Sequence, residues 1–281
     1  LDDDGGTGNT ERGAVWTLFL NADGTVDTYQ KISATHGGFT GVLDVQDQFG
    51  YSVGAIGDIN GDGTPDLGVG SPYDDDGGTT VKYENGAAWI LFMNPNGTVL
   101  SEQKISALHG GFSSPINKHT FFGTAMEGLG DVDGDGVPDV AVGASRWDSP
   151  STKNRVAIYI LFMNPDGTVK AESRFTQAHG NFIVNLDAGD NFGESIANLG
   201  DLDNDGICEI AVGANLDDDG TGRDKGAVYV IFLDQNGQVK AYNKISDTEG
   251  DFTGGLTGRD HFGNGIVVLD DADGNCLPEI A

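Results

Sequence analysis

A Phe-Gly pair recurs at Phe49-Gly50, Phe122-Gly123, Phe192-Gly193 and Phe262-Gly263, with spacings of 73, 70 and 70 residues. A period of this kind restricts the fold more than composition does, because each unit has to bury its apolar surface against a neighbour of the same type. Every unit holds the same parts in one order. After Phe-Gly comes a small-residue strand, a carboxylate-rich loop, and a short strand ending in Val69-Gly70, Val142-Gly143 or Val212-Gly213. An acidic Gly-rich loop follows, then an apolar strand, a hairpin turn, a strand such as Val239 to Ser246, and a Gly-rich stretch that leads to the next Phe-Gly. Four strands per unit and no helical period predict an all-β chain, and a β-propeller of four-stranded antiparallel blades fits best, since radial closure protects sheet edges. The approximate units are 1–48, 49–121, 122–191, 192–261 and a partial 262–281, read as one propeller region over 1–281. Glycine-aspartate β-rolls use a nine-residue repeat and do not match.

The third strands (Ala14 to Leu20, Ala87 to Met93, Val156 to Met163, Ala227 to Leu233) are almost continuously apolar, as suits strands buried on both faces. Trp16, Trp89, Tyr159 and Tyr229 share one position in them; Phe19, Phe92, Phe162 and Phe232 share another. A ring of sugar-stacking platforms would use such a series, but with apolar neighbours throughout, an aromatic core between stacked sheets is the expected reading.

The carboxylate-rich loop carries the chemistry. Its clearest copy is Asp131-Val132-Asp133-Gly134-Asp135-Gly136-Val137-Pro138-Asp139. Calcium is a hard cation that takes six to eight oxygen ligands at roughly 2.3–2.6 Å. A loop donating side chains from positions 1, 3, 5 and 9 and a carbonyl from position 7, with glycine at 6 for the sharp turn, can wrap such an ion. The predicted ligands are Asp131, Asp133, Asp135, Val137 and Asp139; Asp58, Asn60, Asp62, Thr64 and Asp66; and Asp201, Asp203, Asp205, Ile207 and Glu209. The fourth loop offers Asp271, Asp273, Asn275, Leu277 and Glu279, with Cys276 in place of the glycine, and is expected to bind weakly or not at all. An EF-hand needs a bidentate Glu at position 12. That position is Val69, Val142 and Val212, in short β-type runs, so the loop joins two strands. Metal-free Asp-Gly turns are the competing reading. The turns Asn21 to Gly24, Asn94 to Gly97, Asn164 to Gly167 and Asp234 to Gly237 recur without the later carboxylate, and read as plain hairpins.

The net charge of −29, from 44 acidic and 15 basic residues, argues against nucleic acid as a partner. No apolar run is long enough to cross a bilayer as a helix. Cys208 and Cys276 are too few for a disulfide framework, and their pairing stays open. The compartment is argued from the metal: loops of this type fill at the millimolar calcium found outside cells.

These motifs resemble the FG-GAP repeats of the integrin α-subunit β-propeller and its bacterial and archaeal surface relatives. The residues that carry the resemblance are the Phe-Gly pairs, the Gly-Asp openings Gly57-Asp58, Gly130-Asp131 and Gly200-Asp201, and the strand ends Gly70-Ser71, Gly143-Ala144 and Gly213-Ala214. The resemblance implies one blade per repeat, calcium between its first two strands as a brace, and a role in adhesion or ligand recognition. It also implies about seven blades. Ala281 aligns with Ala211 and Leu1 with Leu216, so the chain is expected to form part of a larger propeller.

His36, His109 and His179 share one position on different blades, too far apart to meet on one ion, and are expected to be solvated. His119 and His261 show no partner pattern. No nucleophile elbow, phosphate loop or zinc pair is present. The acidic runs Asp2-Asp3-Asp4, Asp74-Asp75-Asp76 and Asp217-Asp218-Asp219, with Trp147-Asp148-Ser149 in the second unit, are solvated turns, further cation sites or a ligand-facing rim. The expected protein is a calcium-binding, extracellular or cell-surface propeller. It serves as an adhesion, ligand-binding or structural module and not as an enzyme. Its partner is a protein or glycan ligand, or copies of itself. The alternatives are a secreted polysaccharide hydrolase or lyase with a catalytic acid pair, and a self-assembling surface-layer or filament subunit.

Overall fold

A computed structural model describes residues 10–76, 84–114, 116, 119–145, 157–176, 179–184, 186, 189–218, 223–269, 271–275 and 277–281. Among them are fourteen strands and no helix. The pair β1 (Val15–Leu20) and β2 (Val26–Ile32) is followed by three four-stranded sheets. The first blade is β3 (Val53–Gly57), β4 (Asp66–Ser71), β5 (Ala87–Met93) and β6 (Val99–Ile105). The second is β7 (Phe122–Gly130), β8 (Asp139–Ala144), β9 (Ala157–Met163) and β10 (Val169–Phe175). The third is β11 (Phe192–Gly200), β12 (Glu209–Ala214), β13 (Ala227–Leu233) and β14 (Val239–Ile245). Each sheet is an antiparallel meander in chain order, the blade of a β-propeller.

The first strands β3, β7 and β11 pack on one another, so the blades fan outward from them. In a meander, the loops between first and second strands and the hairpins between third and fourth lie at one end. The acidic loops and the Gly-rich returns lie at the other. The hairpins form as the turn residues predict: Asn94 N–H donates to Thr98 O at 2.8 Å and Gly97 N–H to Asn94 O at 2.9 Å.

The third strands explain their unbroken hydrophobicity. Ala88, Ile90 and Phe92 of β5 face the second blade, packing with Phe122, Tyr159 and Leu161. Trp89, Leu91 and Met93 face the other way, onto Val15, Phe39 and Phe49. Trp89, Tyr159 and Tyr229 are therefore core residues. The expectation fails for β1: Trp16 is 50 % exposed, with Leu18 and Leu20 beside it, because no sheet among the described residues covers that face.

The Phe-Gly pairs form the seam between blades. Phe122 and Phe192 are fully buried. Behind them the backbones nearly touch: a Cβ placed on Gly70 would lie 1.9 Å from Gly123 O, on Gly143 2.3 Å from Gly193 O, and on Gly213 2.0 Å from Gly263 O. Ser52 and Ser195 donate their hydroxyls to Gly123 O and Gly263 O at 2.8 and 2.7 Å. Farther out, the Gly-rich return of each blade accepts a backbone hydrogen bond from the next blade's fourth strand: Val99 to Gly37 O, Val169 to Gly110 O, and Val239 to Gly180 O.

Candidate metal centre

Each carboxylate-rich loop bridges a first and a second strand, at 58–65, 131–138 and 201–208. The 271–279 loop sits within an antiparallel bridge between Val268 and Ile280. The loops are ordered by their own acids. Asp131 accepts from the backbone N–H groups of Gly134, Asp135 and Gly136, and Asp135 from Val137. Asp58 and Asp62 do the same for Asp62, Gly63 and Thr64, as do Asp201 and Asp205 for Asp205, Gly206 and Ile207. The glycine at position 6 has the predicted left-handed backbone, with φ of 89° at Gly63, 91° at Gly136 and 90° at Gly206. Position 4 needs it too, which the spacing argument missed. Gly61, Gly134 and Gly274 hold it, and Asn204, one of the few residue types that tolerate this conformation, replaces glycine in the third loop.

The position-9 carboxylate is the structural keystone. Asp66 and Asp139 are fully buried, and each accepts two backbone N–H bonds. One comes from loop position 2 (Ile59 at 3.0 Å, Val132 at 2.9 Å) and one from the end of the third strand (Met93 and Met163, both 3.0 Å). Burial outweighs these bonds and pushes Asp139 up to about 6; Asp66 and Glu209 are raised for the same leading reason. Glu209 Oε2 accepts from Leu202 N–H at 2.6 Å, while its buried Oε1 has no partner.

Three sets of acids converge among the described residues: Asp131, Asp133 and Asp139; Asp201, Asp203 and Glu209; and Asp271, Asp273 and Glu279. In each, one oxygen per residue lies within 4.8 Å of the others. Two ligands on one calcium ion sit at most about 5 Å apart, twice the Ca–O distance, so this spacing fits. The donors are all oxygen, as a hard cation requires, and the unpartnered Glu209 oxygen is an acceptor in want of a positive group. Asp135 and Asp205 stand outside these triads and bond to Lys170 and Lys240, which hold both acids below the usual range. The first loop has amide Asn60 at position 3, which donates to Asp62 Oδ2 at 3.0 Å. Neither the lysines nor the third-strand amides could be read from loop spacing.

Cys208 is a free, half-buried thiol, pushed up to about 12 by burial and then by Glu209. Cys276 lies outside the described residues. His36, His109 and His179 are exposed, as expected. His119 does have a partner, Glu84 Oε2 at 3.0 Å.

The acidic loops resolve differently from a free rim. Lys104 Nζ lies 2.8 Å from Asp74 and 3.2 Å from Asp76, and Lys244 lies 3.0 Å from Asp217. These acids are closed on a lysine of their own blade. Asp2 to Asp4, Trp147 to Ser149 and Asp219 fall outside the described residues. Beside this cluster Asp47 is buried, and burial with the nearby Asp74 charge pushes it up to about 7. A raised carboxyl contributes stability that is complete below its unfolded value near 3.8 and is lost as pH rises through 7. Asp47→Asn, which keeps an acceptor for the Asp44 N–H, is expected to raise stability at pH 8 by about 1–3 kcal/mol and leave it little changed at pH 4. Urea denaturation at the two pH values checks this.

Comparison with known proteins places these features. The model for the FG-GAP repeat matches residues 49–91, 122–161 and 192–231, each match beginning on a Phe-Gly pair. The chain is 32% identical to integrin alpha-PS2 of Drosophila melanogaster over 175 residues, 62% of this chain and 12% of that one. It is 34% identical to integrin alpha-2 of Mus musculus over 136 residues, 48% of this chain and 10% of the other. With integrin alpha-3 of Cricetulus griseus the identity is 29% over 205 residues, 73% and 17% of the respective chains. The chain thus spans between a tenth and a fifth of the length of these relatives. Among the described residues no helix is long and apolar enough to cross a membrane. The protein is built of FG-GAP repeats, one to each complete blade, and is homologous to integrin α subunits.

Proposed function

We propose that the chain is a calcium-braced propeller module, extracellular or at the cell surface, that acts by binding a protein or glycan ligand and not by turnover. The observation that carries this reading is the convergence of Asp131, Asp133 and Asp139, repeated at Asp201, Asp203 and Glu209. Asp58, Asn60, Asp62 and Asp66, with the Thr64 carbonyl, would hold an ion in the first loop. The Val137 and Ile207 carbonyls would complete the second and third. A bound ion supplies fixed positive charge that ties first strand to second. The chain's own groups do the rest: positions 1 and 5 order the loop, and Asp66 and Asp139 at position 9 fasten theirs to the third strand.

The metal loops occupy one end of the blades, which leaves the other for ligand. There, residues from all three blades meet. Tyr73 packs edge-on to Phe121 with centroids 5.0 Å apart, beside Tyr51. Glu194 of the third blade accepts from the Tyr51 hydroxyl at 3.1 Å and from the Ser145 hydroxyl at 2.7 Å. Tyr51 is exposed, Tyr73 half-buried and Phe121 buried beneath them, and aromatic groups with a polar surround are what recognition surfaces use.

A thermal melt in EGTA, then with calcium or magnesium restored, tests the brace. At ~1 mM calcium and a dissociation constant near 0.1 mM each filled site adds about 1.4 kcal/mol. Three sites are expected to raise the melting temperature by several degrees with calcium and little with magnesium. No shift with calcium overturns the reading.

A further inference from the structure

The second and third metal loops carry a cation of their own. Lys170, the second residue of β10, places Nζ 2.7 Å from Asp133 Oδ2 and against Asp135 Oδ2. Lys240, at the same place in β14, lies 3.0 Å from Asp203 Oδ2 and against Asp205 Oδ2. These are the carboxylates of positions 3 and 5. At this register β6 has Leu100, 58 % exposed, and the loop of that blade has Asn60 in place of an acid. The Asn60 amide makes the contact to position 5 that the lysine makes elsewhere. The two differences go together: acid with lysine, amide with leucine. Three acids without a lysine, or four acids with one, give a formal charge of −3 at each of the three sites.

An ammonium shared by two carboxylates does two things. It cancels repulsion between them when no metal is present, and it stands in the field that would draw a divalent ion. We propose that Lys170 and Lys240 are tethered counter-ions of the metal loops, steadying positions 3 and 5 in the empty state and competing with calcium for those oxygens. The calcium affinity of the second and third loops is then set by displacement of a lysine as well as by the number of acids. The first loop reaches a similar balance with a weaker ligand and no competitor. About 30 % of each lysine side chain is open to solvent, and the ammonium sits on a flexible stem, so it can swing outward from the carboxylates.

The inference rests on the reading that these loops take calcium, and the experiment separates the two. Calcium titrations by calorimetry and melts in EGTA are made on the full chain, on Lys170→Met/Lys240→Met, and on Asp133→Asn/Lys170→Leu. For the double methionine variant the expected result is about 5- to 10-fold tighter calcium binding at two sites, with a lower melting temperature in EGTA. The Asp133→Asn/Lys170→Leu pair is expected to bind calcium at its altered loop as the first loop does. A lysine that only packs against the sheet would lower the melting temperature without tightening calcium. Unchanged or weaker binding by the methionine variant, with the wild type binding normally, overturns the inference alone. A wild type that takes up no calcium overturns the cation reading and the competition with it.

Discussion

Gly70→Ala is expected to destabilise the chain by about 3 kcal/mol or more, and Gly213→Ala by a similar amount. A Cβ at Gly70 would stand 1.9 Å from Gly123 O and 2.3 Å from Ser52 Oγ; at Gly213 it would stand 2.0 Å from Gly263 O and 2.4 Å from Ser195 Oγ. The serine can turn away, at the loss of its hydrogen bond. The carbonyl belongs to the next blade's Phe-Gly pair, and it retreats only if that blade's first strand moves with it. Since the fully buried Phe122 precedes Gly123, the damage spreads into the aromatic layer. Gly265→Ala is the control. No atom lies within 4 Å of its Cβ and its backbone is not left-handed, so the change is expected to be neutral or stabilising by up to about 1 kcal/mol. Urea midpoints for the three variants decide it, and a loss below 1 kcal/mol at Gly70 would show that the seam yields.

Asp139→Ala is the second large effect: about 2–5 kcal/mol lost even in EGTA. The side chain holds the Val132 and Met163 N–H groups inside the protein, and alanine leaves both without a partner. Calcium should then add little at that loop, because its buried ligand has gone, while the other loops keep their share. Asp135→Ala makes the contrast. Its carboxylate is at the surface, bonded to Val137 N–H and Lys170, so in EGTA the cost should be small beside that of Asp139→Ala, while calcium's share at that loop disappears. Equal losses for the two variants in EGTA would mean that position 9 is no brace.

Much of this architecture was legible in the chain. The Phe-Gly spacing gave the unit, the loop spacing placed the carboxylates, and the valines at position 12 ruled out a helix-flanked loop. What stayed hidden depends on partners brought close by strand register. Asp66 is fastened to Met93 and Asp139 to Met163, contacts made only because the second strand lies beside the third. The lysines that meet Asp74, Asp217, Asp133 and Asp203 come from fourth strands, and no local pattern marks them. The exposed face of β1 was misread because its residues are those of a two-sided strand, and hydrophobicity does not report whether a second sheet is there.

The double seam between blades has a mechanical meaning. Near the centre, glycine backbones of adjacent blades abut, and serine hydroxyls pin them at two of the seams. At the outside, the Gly-rich return of one blade is bonded to the fourth strand of the next. A tug that tries to peel a blade away therefore meets resistance at two radii at once, and its bonds share the load in place of parting one by one from an edge. Under tension such a stack should hold until a whole joint fails and then give way blade by blade, so that force pulled through one face is passed along the row instead of being lost in the first loop it meets.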